Sequence, residues 1–418
     1  MAGKMKYSLG TNFDEELLEY LIEYDKEHQI ESLFGKLRTD IIGGGRASNV
    51  LPKLSMKELK NYIDKCKKAG IGFNYLLNPM CLGNREIKPN EHREILNFLN
   101  ELQNIGVSHV TINSPYLCEL IKKRFPELKV TIGLYAYIYS LQHVKYWESL
   151  GADELTLHHR VNRNFDYLKM LLTYTKGRNM KLRVIANNVC LHDCPYQINH
   201  GCGQAHASQE KDSKNCIYLD YNLLKCNYAK ITCPQELISS EWIRPEDVHF
   251  YQEICEETDN FNFSIKLLER TKTTDFLKRV VKAYIDERYD GNLIDILTWG
   301  TSQNTKSVAM GDIYKQAVTK RYNVEALKKY QKVFELPQIN IDNRKLDGFL
   351  DYFVDHYSCD KNICGNECGE NSSGVSKCEY CKQWSDKAVS YDINAVSNWK
   401  ETADQVLESM VESRIYGR

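Results

Sequence analysis

The sequence lacks any long apolar segment. None of its 418 residues lies in a run of 18 or more apolar residues, the length that a bilayer-spanning helix requires. The first residues, MAGKMKYSLGTNFDEELL, also lack the apolar core of a signal peptide. We therefore expect a cytoplasmic protein that makes no membrane contact.

A strong charge of either sign is also missing. The 55 Lys and Arg residues are balanced by 56 Asp and Glu residues, which gives a formal net charge of −1. Proteins that bind nucleic acid through its phosphates usually carry a basic excess. The balance disfavours nucleic acid as a partner and favours a small-molecule or peptide substrate.

The sequence does contain a repeated alternation of short apolar segments and helical patterns. Eight segments are predicted as strands, with helical periodicity after most of them: 6–12, 31–37, 71–78, 108–115, 128–136, 152–160, 181–188 and 261–270. Near-continuous apolar strands are typical of a parallel sheet that is covered on both faces. Eight such units most economically close into a (β/α)8, TIM-like barrel. A doubly wound open sheet is the alternative, but no strand is followed by a G-x-G-x-x-G turn.

The eight-unit pattern divides the chain into two parts. We predict the barrel over residues 1–335 and a Cys-rich, metal-binding C-terminal region over residues 336–418. The segment 188–260, between strands seven and eight, is much longer than the other connections. A loop of that length in a compact barrel is usually functional.

Polar residues at the ends of the predicted strands mark a candidate active site, because barrel enzymes carry their function on the loops after the strands. The predicted substrate-binding residues are Arg46, Asn74, Tyr135 and Glu269, and the predicted catalytic residues are His158, His159 and Arg160. Arg46 and Arg160 would hold a carboxylate, and one of the histidines would move protons. The alternative is that each arginine pairs with a neighbouring acid, such as Asp40 or Glu154.

Cysteine is abundant and clustered. Of the 15 cysteines, four stand alone and are interpreted as core residues: Cys66, Cys81, Cys118 and Cys255. The others form two groups, which are Cys190, Cys194, Cys202, Cys216, Cys226 and Cys233, and then Cys359, Cys364, Cys368, Cys378 and Cys381. Clustered cysteines in a cytosolic protein indicate metal binding or redox chemistry before disulfides.

The two groups favour different metal sites. Cys190 directly follows the seventh predicted strand, so a metal bound there would face the barrel mouth. The spacing of this first group lacks the C-x3-C-x2-C of radical-SAM clusters and the paired C-x2-C of zinc ribbons. It favours an iron–sulfur cluster in or under the active site over a structural zinc. The second group ends in C-x2-C and is predicted to hold either a zinc ion or a second 4Fe-4S cluster, of which we favour the cluster.

Four stretches and the tail carry a family resemblance. ESLFGKLRTDIIGGGRASN, NNVCLHDCP, EWIRPEDV and IKLLERT, with a C-x2-C tail, resemble the collagenase-like peptidases of family U-32 over residues 5–390. Members of that family that resemble the tRNA, rRNA and ubiquinone hydroxylation proteins carry a 4Fe-4S cluster held by four cysteines. They act without molecular oxygen, in some cases taking the oxygen from prephenate.

The resemblance implies two rival functions. It makes Cys190, Cys194 and Cys226 the first three cluster ligands, and with them an oxygen-independent hydroxylase or related redox enzyme, which is our prediction. An electron donor or a second barrel subunit would be its protein partner. The rival is a peptidase, yet the chain has no H-E-x-x-H or G-x-S-x-G, and an iron-bound thiolate is not free to attack an amide. A non-catalytic, cluster-bearing partner subunit or a peptide-binding module is the alternative from another class.

The fourth ligand departs from the family pattern. The family's fourth cysteine falls near RPEDV in this chain, where Glu246 or Asp247 stands instead. Cys233 is the preferred replacement, followed by Cys216 and Cys202.

Overall fold

The computed structural model describes residues 4–209, 220–299, 322–355 and 379–416. Within these ranges, eight parallel strands close into a barrel in sequence order, and β1 pairs with β8 to complete the ring. The strands are β1 Tyr7–Gly10, β2 Ile30–Gly35, β3 Gly72–Leu77, β4 His109–Ile112, β5 Lys129–Ile132, β6 Glu154–Thr156, β7 Lys181–Ile185 and β8 Phe263–Leu267. The predicted (β/α)8 barrel is therefore confirmed.

Helices surround the barrel at the positions that the sequence predicts. They are α1 Glu15–Tyr24, α2 Met56–Lys68, α3 Pro89–Asn104, α4 Pro115–Arg124, α5 Leu141–Ser149 and α6 Phe165–Thr175. Local signals set where they begin. Ser55 and Glu58 form a capping box at the start of α2, and Ser114 caps α4 directly before Pro115.

The described residues of the segment 188–260, which are 188–209 and 220–260, are largely helical, and the sequence pattern did not predict this. They contain α7 Gln197–Gln209, α8 Tyr221–Thr232, α9 Gln235–Ser239 and α10 Val248–Thr258, and α11 Thr274–Ile285 follows β8. Helix α10 packs against α6 as part of the outer ring. The sequence of α7, QINHGCGQAHASQ, has few apolar residues and therefore no clear helical period.

The barrel interior is more polar than the expected near-continuous apolar strands. Asn74 lies within β3, where its amide donates to Thr131 Oγ1 (3.1 Å) and accepts from Thr111 Oγ1 (2.8 Å). Thr131 Oγ1 in turn donates to Glu154 (2.8 Å). The expectation of apolar strands was wrong for these inward positions, because hydrogen bonds between strands satisfy polar groups inside the barrel.

A group of charged residues lies near the amino ends of the strands. Arg183 Nη2 contacts Glu154 at 2.6 Å and Glu31 at 3.1 Å, and Lys181 pairs with Glu31. Arg183 Nε also donates to Ser264 Oγ at 3.0 Å. Glu31, Glu154, Lys181 and Arg183 are called the lower charge layer below. Two carboxylates face two cations in this layer, so its charges are matched.

The C-terminal part of the described chain packs onto the barrel. It contains α12 Val324–Lys332, α13 Asp351–Asp355, α14 Glu379–Ala388, α15 Ile393–Val411 and the antiparallel strands β9 Ile339–Ile341 and β10 Val389–Tyr391. Arg163, after β6, has its guanidinium 4.7 Å from the Trp242 ring and 4.8 Å from the Phe349 ring. Helix α12, on the barrel side of the predicted boundary at residue 335, packs against α15, and that boundary stays a prediction. None of the helices in the described ranges is long and apolar enough to cross a membrane.

Candidate active site at the barrel mouth

A loop of three glycines after β2 lies close against the carboxyl end of the barrel. Gly43 has a φ of +90°, a conformation that L side chains rarely adopt. A Cβ on Gly44 would lie 2.8 Å from Cδ of Lys36, and one on Gly45 would lie 2.9 Å from the Tyr135 ring. The absence of side chains therefore lets this loop reach the barrel mouth.

Helix α7 covers the glycine loop and is attached to it by hydrogen bonds. The amide of Gly44 donates to Ser208 Oγ (2.8 Å), and the amide of Ala47 donates to Gln204 Oε1 (2.8 Å). A Cβ on Gly201 would lie 2.6 Å from the sulfur of Met80, so α7 is seated as closely as its backbone allows. The mouth is thus closed on this side by a polar helix.

Lys36 and Asp40 form a fully buried ion pair beside this loop. Lys36 Nζ lies 2.8 Å from Asp40 Oδ2, which also accepts a hydrogen bond from Tyr75 Oη (2.9 Å). The amide of Gly43 donates to the other carboxylate oxygen at 2.6 Å. Asp40 therefore shapes the glycine loop and is not the acid that pairs with Arg46.

Arg46 and Glu269, both predicted as substrate-binding residues, bind each other. Arg46 donates from Nε (3.0 Å) and from Nη2 to Glu269 Oε2. Burial raises the pKa of Glu269, but the guanidinium groups of Arg46 and Arg270 outweigh it and hold that pKa at about 2. Arg46 thus lies at the mouth with an acid from the end of β8 opposite it, and its role in substrate binding stays a prediction.

Arg270 is a residue of the mouth that the prediction did not select. It is 6 % exposed, and its Nε and Nη2 have no hydrogen-bond partner among the described residues. Burial lowers its pKa to about 10, with Glu269 acting in the opposite direction. Its position directly after Glu269, at the end of a predicted strand, was the available signal.

Lys266, in β8, is a second buried cation that the prediction missed. Its Nζ lies 4.0 Å from the centroid of the Phe34 ring, and it makes no ion pair among the described residues. Burial, together with the positive charges of Arg183 and Arg270, lowers its pKa to about 7. A lysine inside a predicted apolar strand was the only signal for it.

Tyr135 connects the cations with the first cysteine group. Burial raises its pKa, and Arg46, Cys190, Glu269 and Arg270 are close enough to influence that pKa. The predicted residues from the ends of strands two, five, seven and eight therefore meet at one place. Asn74 does not join them, because it lies within its strand in the hydrogen-bonded interior described above.

The predicted catalytic residues after β6 lie beside the loop that carries the cysteines. Arg160 Nη1 lies 3.2 Å from Asp193 Oδ1, so Arg160 and Arg46 contact different acids. The imidazole of His158 bonds to Gln197 Oε1 (3.1 Å), and burial lowers its pKa to about 4. Both ring nitrogens of His159 are buried and have no hydrogen-bond partner in the part of the chain that the structure describes, and burial holds the pKa of this imidazole well below the ordinary range. Both histidines are therefore neutral at pH 7.

Three thiols of the first cysteine group approach one another from two segments. Cys190 and Cys194 lie in the loop after β7, and Cys226 lies in α8. Burial raises the pKa of Cys194 to about 12, and the nearby Cys226 and Cys190 add to this effect. Burial also raises the pKa of Cys190, and the charge of Lys230 lowers it. Lys230 Nζ donates to the carbonyl of Val189 (2.8 Å). Among the residues that the structure describes, no three His, Cys, Asp or Glu side chains are placed so that they share one metal ion.

The acids that replace the family's fourth cysteine have other partners. Asp247 binds Arg244 through both carboxylate oxygens, at 2.9 and 2.7 Å, and Glu246 accepts from the side-chain amide of Asn343 at 3.0 Å. These contacts attach the C-terminal region to the barrel. Cys233 ends α8, seven residues after Cys226, which corresponds to about 10 Å along a helix axis.

The remaining predicted ligands are Cys202, Cys381 and five cysteines outside the described ranges. Burial raises the pKa of Cys202, with a further contribution from Cys81. Cys381 is buried in α14. Five predicted ligands fall outside the described residues: Cys216, Cys359, Cys364, Cys368 and Cys378.

Comparison with known proteins identifies the family. The sequence profile of Peptidase family U32 matches residues 44–322, which is more than half of the chain. The protein therefore belongs to peptidase family U32, as the sequence resemblance predicted.

Individual proteins that resemble this chain are described as follows. An uncharacterized protease of Methanocaldococcus jannaschii is 28 % identical over 351 residues, covering 84 % of this chain and 86 % of that protein. A solved structure described as the U32 peptidase Mk0906 is 18 % identical with a TM-score of 0.45, covering 64 % of this chain and 94 % of that one. A putative glycerophosphodiester phosphodiesterase from Galdieria sulphuraria is 14 % identical with a TM-score of 0.31, covering 44 % and 84 %. The descriptions of the Methanocaldococcus jannaschii protein and of Mk0906 name no substrate.

Proposed function

We propose that this protein is a 4Fe-4S-dependent, oxygen-independent hydroxylase or related redox enzyme that acts on a polar, carboxylate-bearing or peptidic substrate. The observation that carries the proposal is the position of the thiols. Cys190 lies at the barrel mouth with Cys194 and Cys226 near it, and Tyr135 and Arg46 border both Cys190 and the cations around Glu269. Ligands of a cluster and groups that bind an anion thus share one site.

The donor set fits a thiolate-ligated cluster. Cys190, Cys194 and Cys226 would hold three of its irons, and Cys233 remains our choice for the fourth. Lys230 and Arg46 both lower the pKa of Cys190, so they would also offset the negative charge of bound thiolates. Such a cluster supplies one-electron transfer or, where an iron has an open coordination position, a Lewis acid. The C-terminal cysteines would hold a second 4Fe-4S cluster or a zinc ion.

The other residues of the site have roles that their surroundings define. Helix α7 excludes water from the mouth through its bonds to the glycine loop. Nδ1 of His158 accepts from the amide of Arg160 (3.4 Å), which favours the proton of the ring on Nε2, facing Gln197 Oε1. With a pKa of about 4, His158 is a neutral hydrogen-bonding group at pH 7. Any proton that it accepts during the reaction would therefore be released again readily.

The thiols are poorly suited to peptide hydrolysis as free nucleophiles. A cysteine nucleophile requires a lowered thiol pKa, because the thiolate is the reactive form. Burial raises the pKa of Cys194 to about 12 and raises that of Cys190 as well. This observation supports the redox proposal over a cysteine peptidase.

Metal analysis of protein purified without oxygen tests the proposal. We expect a brown protein with broad absorption near about 400 nm and roughly four to eight iron atoms per chain, with matching sulfide. The Cys190→Ala variant should lose about four of these irons while the barrel stays folded by circular dichroism. Cys118→Ala is the matched control, because it removes a buried thiol from α4 and not from the cysteine loop after β7. This variant should keep all of its iron atoms.

Two outcomes would overturn the proposal. One is a colourless wild-type protein with zinc and no sulfide after anaerobic purification and reconstitution. The other is cleavage of gelatin or casein at the same rate by cluster-loaded and cluster-free protein, with Cys190→Ala fully active, which would instead favour the peptidase.

A further inference from the structure

Two buried cations at the mouth have no acid of their own. Glu269 is bound by Arg46, and Asp40 is bound by Lys36. Arg270 and Lys266 lie near these pairs, yet neither forms an ion pair among the described residues. An isolated buried charge is unfavourable unless a counter-charge reaches it.

The unpartnered atoms of Arg270 form the edge of a guanidinium that matches a carboxylate. Nε and Nη2 lie on the same side of the group, so their N–H bonds are parallel and fit two carboxylate oxygens. Arg244 shows this arrangement in the same protein, with Nε 2.9 Å and Nη2 2.7 Å from the two oxygens of Asp247. In Arg270 the same two nitrogens are shielded from solvent and have no partner in the described chain.

The surroundings of Arg270 place this edge in the barrel mouth. Arg46, Glu269, Tyr135 and Tyr75 all influence the pKa of Arg270. Tyr75 lies in β3 and Glu269 just after β8, while Arg46 and Tyr135 lie in the connections after β2 and β5. On the β1 side, a Cβ on Gly10 would lie 3.0 Å from the amide nitrogen of Arg270, so the glycine allows the backbone after β8 to approach. Arg270 is therefore held at the centre of the mouth by close packing.

We propose that Arg270 and Lys266 form a carboxylate-binding site inside the barrel mouth, in which Arg270 grips the two oxygens and Lys266 adds a further donor. This assigns the carboxylate to different residues from Arg46 and Arg160, because those two already bind Glu269 and Asp193. As the position of a substrate or co-substrate carboxylate it rests on the proposed function, whereas the binding itself requires no cluster. Arginine can bind carboxylate or phosphate through two parallel N–H bonds. Because both donors of Arg270 are shielded from solvent, a singly charged carboxylate costs less to bury there than a doubly charged phosphate.

Binding of 13C-labelled acetate, followed by NMR line broadening at constant ionic strength, tests the site. Acetate should bind, whereas acetamide, its neutral isostere, and inorganic phosphate should not. Arg270→Lys keeps the charge but loses the two parallel donors, and we expect it to weaken acetate binding about ten-fold. Lys266→Met should also weaken it, and Arg288→Lys, at an exposed arginine, should leave it unchanged.

The inference fails if acetamide or phosphate binds as well as acetate, which needs only the wild-type protein. It also fails if folded Arg270→Lys and Lys266→Met proteins bind acetate normally. Repeating the titration on cluster-free protein separates the two proposals. If the protein never takes up iron but binds acetate through Arg270, this inference holds and the proposed function fails. If the protein carries a cluster but does not bind acetate, the proposed function holds and this inference fails.

Discussion

The two charged levels of the barrel differ in how their charges are matched. In the lower charge layer, Arg183 and Lys181 face Glu31 and Glu154. At the mouth, Arg46 already pairs with Glu269, while Arg270 and Lys266 form no ion pair with any residue that the structure describes. A layer whose charges are matched within the chain stabilises the fold, whereas a layer left with excess charge is built to receive a ligand of the opposite sign. The level of the barrel, and not burial alone, therefore distinguishes structural from functional charge.

The largest effect is expected in the lower charge layer. Arg183→Leu leaves Glu154 and Glu31 without their shared guanidinium, and removing one partner of a buried pair costs about 3–5 kcal/mol. Urea unfolding followed by circular dichroism measures this loss. Arg178→Leu, which breaks a partly exposed pair with Glu148, is the control and should change stability far less. A small loss for Arg183→Leu would show that the lower layer does not stabilise the fold.

At the mouth, removing a cation is expected to change the free energy of unfolding in the opposite direction. Arg270→Met removes a buried cation whose Nε and Nη2 have no partner among the described residues, so the free energy of unfolding should stay the same or increase by about 1–3 kcal/mol in ligand-free protein. Glu269 keeps its bonds to Arg46 in this variant. The same urea experiment measures the change, and a loss as large as that for Arg183→Leu would show that the two levels are alike.

The free energy of unfolding should depend on pH differently in the wild-type protein and in Lys266→Met. Burial and the charges of Arg183 and Arg270 lower the pKa of Lys266 to about 7, with Glu154 and Glu269 acting in the opposite direction. Between that value and the pKa of about 10.4 of an unfolded lysine, the unfolded chain binds the extra proton. Wild-type stability should therefore rise with pH over this range, by up to about 1.4 kcal/mol per unit relative to Lys266→Met. Parallel profiles for the two proteins from pH 7 to 10 would show instead that Lys266 is charged and stabilised in the fold.

The smallest effect concerns the cover of the mouth. Helix propensity alone predicts that Gly201→Ala stabilises α7 by up to about 1 kcal/mol. The new methyl would lie 2.6 Å from the sulfur of Met80 and 3.3 Å from the Tyr135 ring, so we expect a net loss of about 1 kcal/mol instead. His206→Ala, on the exposed side of α7, is the control. A thermal midpoint that rises for Gly201→Ala would mean that α7 is not seated closely on the mouth.

The sequence predicted the barrel well because its strands and helices follow local rules. Each helix start is marked by residues that are close in sequence, such as Ser55 with Glu58 for α2 and Ser114 with Pro115 for α4. The site was predicted only in part, since its pairing depends on residues distant in sequence. Arg46 was located by its glycine loop, but its partner Glu269 lies 223 residues away, and no local pattern could connect them.

The residues that were missed lacked any local signal of their role. Lys266 lies in a strand that otherwise reads as apolar, and Arg270 became distinctive only when its two free donors could be compared with the occupied pair of Arg244 and Asp247. Helix α7 was missed because it is held by hydrogen bonds from Gln204 and Ser208 to a loop, which leave no apolar periodicity in its sequence.

The glycine loop also determines how freely this part of the protein tolerates substitution. At Gly44, Gly45 and Gly201, even a single methyl group would meet a neighbouring side chain within 3.0 Å, and Gly43 adds a backbone conformation that disfavours any other residue. A library of all single substitutions, selected for function, should therefore be depleted of side chains larger than Ala at these four positions, with Ala at position 201 the mildest change. Gly70 and Gly177, which also have positive φ but have no neighbouring atom within 4 Å, should accept Asn and Asp. The positions of depleted variants in such a library would therefore identify the residues that pack closely at the mouth.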